Sequence, residues 1–164
     1  MAAAVGSYAC RMSLVGTTPR PHPARLEVAT YPVTGAIDAR YGDMDANGHL
    51  NNLALGSLHE NTRATFNASV FPAVYDLATR RLRLVTATSV IHYLHEAHWP
   101  ARILTAVGAG SIGRTSYVAS TALFVGEQCV SLCDTVLVAL GDDGPTPIPD
   151  DARERLAASR LIGG

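Results

Sequence analysis

One long segment of the chain spaces its apolar residues for a helix, and runs rich in β-branched residues follow it. In "NNLALGSLHENTRATFNASV", Leu55, Leu58, Thr62 and Phe66 recur three or four apart and define one stripe of a helix from about Asn51 to Asn67. Beyond it come "LVTATSVIHYLHEAHW", "ARILTAVGAGSIGRTSYVASTALF" and "EQCVSLCDTVLVAL". The second run is too long for one strand; Gly113-Arg114 inside it and Gly126-Glu127 after it fit tight hairpin turns. A helix with a one-sided stripe must bury it against something, and the strands are the only large partner. The economical fold is α+β, a curved antiparallel β-sheet wrapped around one long central α-helix.

The segments on either side are weaker in pattern. "LEVATYPVTGAIDARYGD" predicts one strand or a bent pair ending near Gly42, with Pro32 confined to an edge or a break. Asn51 is placed to cap the helix. Gly56 sits inside it, where glycine costs about 1 kcal/mol relative to alanine, so a close approach of helix to sheet is expected there. The tail "GDDGPTPIPDDARERLAASRLIGG" starts as a proline-punctuated loop and ends in a short helix that Asp150 or Asp151 can cap. Residues 1–23 are expected to form a flexible leader, with Met12 a candidate start, residues 24–157 the domain and residues 158–164 a tail.

Charge and cysteine usage exclude several classes. A net charge of −1 supplies no broad attraction for nucleic acid or an anionic membrane surface. All 13 basic residues are arginine, which excludes Schiff-base chemistry and leaves arginine as the strong phosphate partner. Charged residues are 16% of the chain and apolar ones 48%, a balance that leaves apolar surface for a second copy to cover. Cys129 and Cys133 on one strand would stand roughly 13 Å apart, too far for a disulfide. With no basic n-region before the first arginine and no apolar run near the length of a membrane span, a soluble cytoplasmic protein is expected.

The chemistry concentrates in "RYGDMDANGHLNN", where Asp43, Asp45 and His49 lead straight into the helix start at Asn51 and Asn52. A helix N-terminus offers unpaired N–H groups and the positive end of a dipole, suited to polarising a carbonyl oxygen. A carboxylate on the preceding loop can then act on the same carbonyl carbon, as nucleophile or as base for water. The same residues also make a respectable turn with a cap, and spacing alone leaves both readings open.

"RYGDMDANGHLNNLALGSLHENTR" resembles the motif of the hotdog-fold acyl-CoA thioesterases of the 4-hydroxybenzoyl-CoA thioesterase type: aromatic-Gly-Asp-x-Asp-x-x-Gly-His-x-Asn-Asn, then a helix ending in Glu-x-x-Arg. "IHYLHEAHWPARI", "GRTSYVASTALF" and "TPIPDDARERL" extend the likeness over about residues 30 to 157. The resemblance implies a hotdog domain that hydrolyses an acyl thioester, with acyl-CoA or an acyl-carrier-protein thioester as substrate, no cofactor, no metal, and a homodimer or dimer of dimers. It implies Asp45 as the catalytic carboxylate and the backbone N–H groups near Asn51 and Asn52 as carbonyl polarisers; beside them Asp43 reads as capping or orienting the loop. Asn47 and His49 match an Asn-x-His pair of carrier-protein thioesterases, and Glu60 the helix carboxylate of another hotdog branch. Glu60 also reads as a helix-face partner of Arg63.

Arg114, Thr115 and Ser116 match the hairpin that lies near the nucleotide in such relatives. Arg80, Arg81 and Arg83 are the densest basic cluster and read as a solvated strand end. In "HYLHEAH" a metal reading through His92, His95, Glu96 and His98 is disfavoured: on a strand His95 faces away from His92 and His98, and the helical HExxH zinc spacing is missing. The family usually carries a basic residue and a proline here, so "HEAH" is a departure bearing on the acyl pocket or the subunit contact. A non-catalytic acyl-CoA or acyl-carrier binding or regulatory hotdog protein is the alternative. The hotdog hydratases are a poorer match, because their Asn-Pro pair has no counterpart.

Overall fold

The computed structural model describes residues 19–163, so Cys10, Met12 and most of the expected leader lie outside the described residues. Strand β1 (Val33–Asp38) precedes helix α1 (Asn52–Val70), and strands β2 (Arg83–Tyr93), β3 (Arg102–Ile112), β4 (Ser116–Val125) and β5 (Gln128–Gly141) follow it. A two-residue strand β6 (Gly144–Pro145) pairs with β5, and helix α2 (Asp150–Ala158) ends the order. The sheet is antiparallel with spatial order β1-β3-β4-β5-β2, which makes β1 and β2 its edges. It is the expected arrangement, one long helix lying on a curled sheet.

Local chemistry explains the boundaries. Asn51 caps α1: its Oδ1 accepts the Ala54 N–H at 2.7 Å. Gly126 takes φ +60 and Glu127 does not, the pattern of a hairpin turn with glycine first, joining β4 to β5. Upstream, the structure corrects the reading. Where a strand is expected from Leu26, Val28–Thr30 is a 3₁₀ turn that follows another over Pro23–Leu26, with Arg25 and Tyr31 on the outer face of the sheet. β1 begins just after Pro32, which has no N–H for a ladder, and ends at Asp38, not Gly42. β2 stops at Tyr93 rather than running to Trp99, where Leu94 and His95 N–H both turn to the one carbonyl of Val130. α2 is capped by no aspartate side chain; Pro149 precedes it, and Asp150 and Asp151 stand in its first turn, where their charge favours the dipole.

Two apolar clusters sit under α1. Leu50 and Leu55 pack with Ile103, Leu123 and Val130 beneath its N-terminal end. Phe66, Val70 and Phe71 pack with Tyr117, Leu137 and Leu156 beneath its C-terminal end. On the other face of the sheet Tyr31 covers Phe124 and Leu132, and Arg25 pairs with Asp134 at 3.0 Å. Residues past 157 dock as well: Ser159 and Leu161 exchange backbone hydrogen bonds with Ala109. That contact needs Gly108, since a Cβ there would lie 2.8 Å from Leu161 and 2.9 Å from Pro32. Cys129 and Cys133 are buried free thiols. Among the described residues no helix is long and apolar enough to cross a membrane.

Candidate active site

The motif loop is a closed excursion between β1 and α1. Asn51 N–H donates to the Asp43 carbonyl at 2.9 Å, and Met44 bridges Leu50, so both ends of the loop are tied together at the foot of the helix. Asp43 is the internal strut: its buried carboxylate accepts from the Arg40 backbone N–H and guanidinium, both at 2.9 Å. The Arg40 hydrogen bonds hold its carboxyl below the usual carboxylate range against the opposing effect of burial.

Asp45 is presented outward on this strut, with 28% of its side chain exposed. Its Oδ1 accepts the Asn47 N–H at 2.7 Å, and the His49 carbonyl accepts its own N–H at 2.9 Å. Desolvation acts to raise the Asp45 carboxyl, but the Asn47 N–H and the His49 ring outweigh it and hold it below the ordinary value. Asp45 is therefore a carboxylate at neutral pH. Gly48, at φ +83, supplies the left-handed turn that reverses the chain. His49 Nδ1 stands 3.6 Å from Asp45 Oδ2, and Nε2 lies 4.0 Å from Glu96. Asn52 opens the helix exposed to solvent, and Tyr93 of β2 donates to its carbonyl at 3.4 Å.

The loop thus carries an ionised carboxylate at Asp45 and leads into a helix start capped by Asn51. The model of one family, described as "Thioesterase-like superfamily", matches residues 39–156, which takes in the loop, α1 and every strand after it. The chain belongs to this thioesterase-like superfamily. No curated protein matches it in sequence. Among solved structures, a Pseudomonas aeruginosa protein superposes with TM-score 0.74 at 22% identity, covering 84% of this chain and 98% of its own, and so shares the fold. A predicted thioesterase from Bacillus stearothermophilus gives 0.71 at 26% identity, covering 80% and 98%. A thioesterase from Thermus thermophilus, complexed with coenzyme A and Zn, gives 0.70 at 26%, covering 79% and 94%. The thioesterase-like chain is thereby a hotdog domain.

Not every residue singled out in the sequence gathers at this loop. Glu60 lies two turns down the helix from Asn52, about 12 Å along the axis, exposed and 3.6 Å from Arg63. Arg114 and Thr115 lie in the β3–β4 turn and Ser116 opens β4 at the other end of the sheet, where Arg153 donates to the Arg114 carbonyl. Leu123, under the loop end of α1, is seven β4 residues away, roughly 23 Å, so one chain does not bring this hairpin to Asp45. A groove of about 300 Å³ does run from the loop along α1 and β1, lined by Ile37, Arg40, Asp43, Ala54, Leu58 and Asn61 among others.

Two features escaped the sequence reading. His59 lies in the buried stripe of α1, with Nε2 2.9 Å from Ser131 Oγ and Nδ1 2.8 Å from Thr121 Oγ1. Ser131 donates to the His92 carbonyl and so accepts from Nε2–H; Thr121 turns its proton to Nδ1, the nearer of its two acceptors. Burial, with the Arg63 cation nearby, pushes the ring down to about 3, so it is neutral. The spacing Leu55, His59, Thr62, Phe66 carried the signal. The other is the Glu96–Trp99 segment, which folds back onto the motif loop. Among the described residues no group of three or more His, Cys, Asp or Glu is arranged to hold a metal ion.

Proposed function

We propose that the chain hydrolyses an acyl thioester, with acyl-CoA as the substrate class, to a free acid and a thiol. One observation carries the reading: an ionised Asp45 held on a strutted loop that delivers the chain directly into the capped start of α1. The thioester carbonyl oxygen is taken to sit at the exposed N–H groups of the first turn, where the dipole stabilises negative charge as it develops. Asp45 then either attacks the carbonyl carbon, expelling the thiolate and leaving an anhydride that water opens, or takes a proton from the water that attacks. Both routes give the same products and need no metal or cofactor. Coenzyme A bound to the Thermus thermophilus relative supports the choice of carrier. The buried free thiols of Cys129 and Cys133 are in keeping with the cytoplasm.

The working unit is proposed to be a homodimer or a dimer of dimers formed over β2, an 11-residue edge strand that exposes Val85 and Tyr93. Arg114, Thr115 and Ser116 are proposed as nucleotide contacts in that assembly. The test is thiol release from a panel of acyl-CoA thioesters by wild type and Asp45→Ala. A fall of about a hundredfold or more in kcat is expected of the variant. Equal rates would remove Asp45 from the mechanism, and saturable acyl-CoA binding without turnover by wild type would make the chain a binding protein.

A further inference from the structure

The segment after β2 is bound to the motif loop at four successive residues. Leu50 N–H donates to the Ala97 carbonyl at 2.7 Å, and His98 Nδ1–H donates to the Gly48 carbonyl at 2.9 Å. Trp99 meets Tyr41 edge to face, ring centroids 5.3 Å apart. Glu96 stands between two imidazoles, Oε1 4.0 Å from His49 Nε2 and Oε2 3.8 Å from His98 Nε2. His49 in turn faces Asp45 with its other nitrogen at 3.6 Å. A continuous line thus runs from Asp45 through His49 and Glu96 to His98, and back to the loop at Gly48.

We propose that Glu96 and His98 are positioning residues for Asp45: Glu96 aligns the His49 ring against the carboxylate, and His98 fixes the turn at Gly48 that aims it. The inference rests on the reading of Asp45 as the catalytic carboxylate. Its physical basis is the steep dependence of rate on the placement of a reacting group, where an error of about 1 Å can cost on the order of a hundredfold. The base of the loop is tied by the Arg40–Asp43 strut and the Met44–Leu50 bridge, but its tip at Asn47 and Gly48 is exposed, and the Glu96–Trp99 segment is what meets it from outside. Glu96 is itself 70% exposed, so its pairs add little to stability while still choosing a ring orientation.

The experiment measures kcat and KM for an acyl-CoA thioester with Glu96→Gln, His98→Ala, His98→Asn and Asp45→Ala, together with amide hydrogen exchange over residues 45–50. Glu96→Gln and His98→Ala are expected to lose about tenfold in kcat with KM within about twofold. His98→Asn, whose amide N–H reaches the Gly48 carbonyl in place of Nδ1–H, is expected to recover kcat. His98→Ala should exchange the loop amides about tenfold faster at unchanged Tm. A wild-type kcat in Glu96→Gln and His98→Ala, a loss confined to KM, or a His98→Asn as slow as His98→Ala overturns the assignment. So does loss of wild-type activity on chelation restored by zinc, which would make His49, Glu96 and His98 ligands. Exchange needs no substrate: if Asp45→Ala hydrolyses normally, the catalytic reading fails, and the loop amides alone decide whether the clamp exists.

Discussion

His59 shows what a single residue costs and contributes at the centre of this fold. A histidine in the buried stripe of α1 replaces an apolar side chain by two hydrogen bonds, to Thr121 and Ser131, which fix the helix in one register on the sheet. The unfolded ring takes its proton near 6.5 and the folded ring near 3, so between those values the unfolded state binds more protons. The ring's contribution is therefore level above about pH 6.5 and falls as pH drops below it, with a slope approaching about 1.4 kcal/mol per pH unit. The depressed carboxyls of Asp43, Asp45, Asp76 and Asp151 add their own losses in the same direction, but only nearer their ordinary value of 3.8. Urea denaturation of wild type and His59→Gln between pH 4.5 and 6.5 isolates the ring: the variant should lose most of the slope. Parallel slopes would mean that His59 is protonated in the fold. A second residue-scale test concerns Asp43, whose carboxylate holds Arg40 in place. Asp43→Asn should lower kcat on an acyl-CoA thioester by roughly tenfold or more through a displaced Asp45, because the neutral amide cannot accept the charged guanidinium as strongly.

At the scale of elements, two glycines separate what sequence can show from what only packing decides. Gly56, in the second turn of α1, reads in the sequence as a point of close approach, yet a Cβ there would meet nothing nearer than Ile91 at 3.9 Å. Gly56→Ala should therefore stabilise by about 1 kcal/mol, raising Tm by roughly 2–4 °C in a scanning calorimeter. Gly108 carries no signal in the sequence, being one small residue in a β-rich run, and it is the one that must be glycine. Gly108→Ala drives a methyl into Leu161, Pro32 and the Ser159 carbonyl, and should cost about 1–3 kcal/mol. The same division runs through the rest of the molecule. Helix α1, its Asn51 cap and the turns at Gly113 and Gly126 are legible because periodicity, capping and hairpin chemistry are local. The 3₁₀ turn at Val28–Thr30 is not, since its residues suit a strand and contact with the outer face of the sheet selects otherwise. Asp45 is proposed through its motif, whereas Glu96 and His98 approach it from more than fifty residues away, a distance no local pattern spans.

For the whole molecule, the proposed assembly bears on the proposed site. β2 is the long free edge of the sheet, and its exposed Val85 and Tyr93 stand beside a row of backbone groups with a partner on one side only. Tyr93 also bonds the carbonyl of Asn52, so whatever covers this edge reaches the start of α1. A chain with only 16% charged residues has few means of blunting such an edge; Arg83 is the one charge along β2. In the proposed dimer, pairing with a second copy of the same edge would satisfy these backbone groups and cover the helix start, where exclusion of water would strengthen charge stabilisation. Light scattering after size exclusion should then give two or four times the 17.3 kDa chain mass. Val85→Lys places a like charge on both copies of the edge and should shift the protein toward monomer. If hydrolysis depends on the shared edge, kcat/KM of Val85→Lys should fall with dilution as dimer dissociates, while wild type stays constant over the same range. A monomeric wild type with full activity would place the entire site within one chain and leave β2 as an edge without a catalytic role.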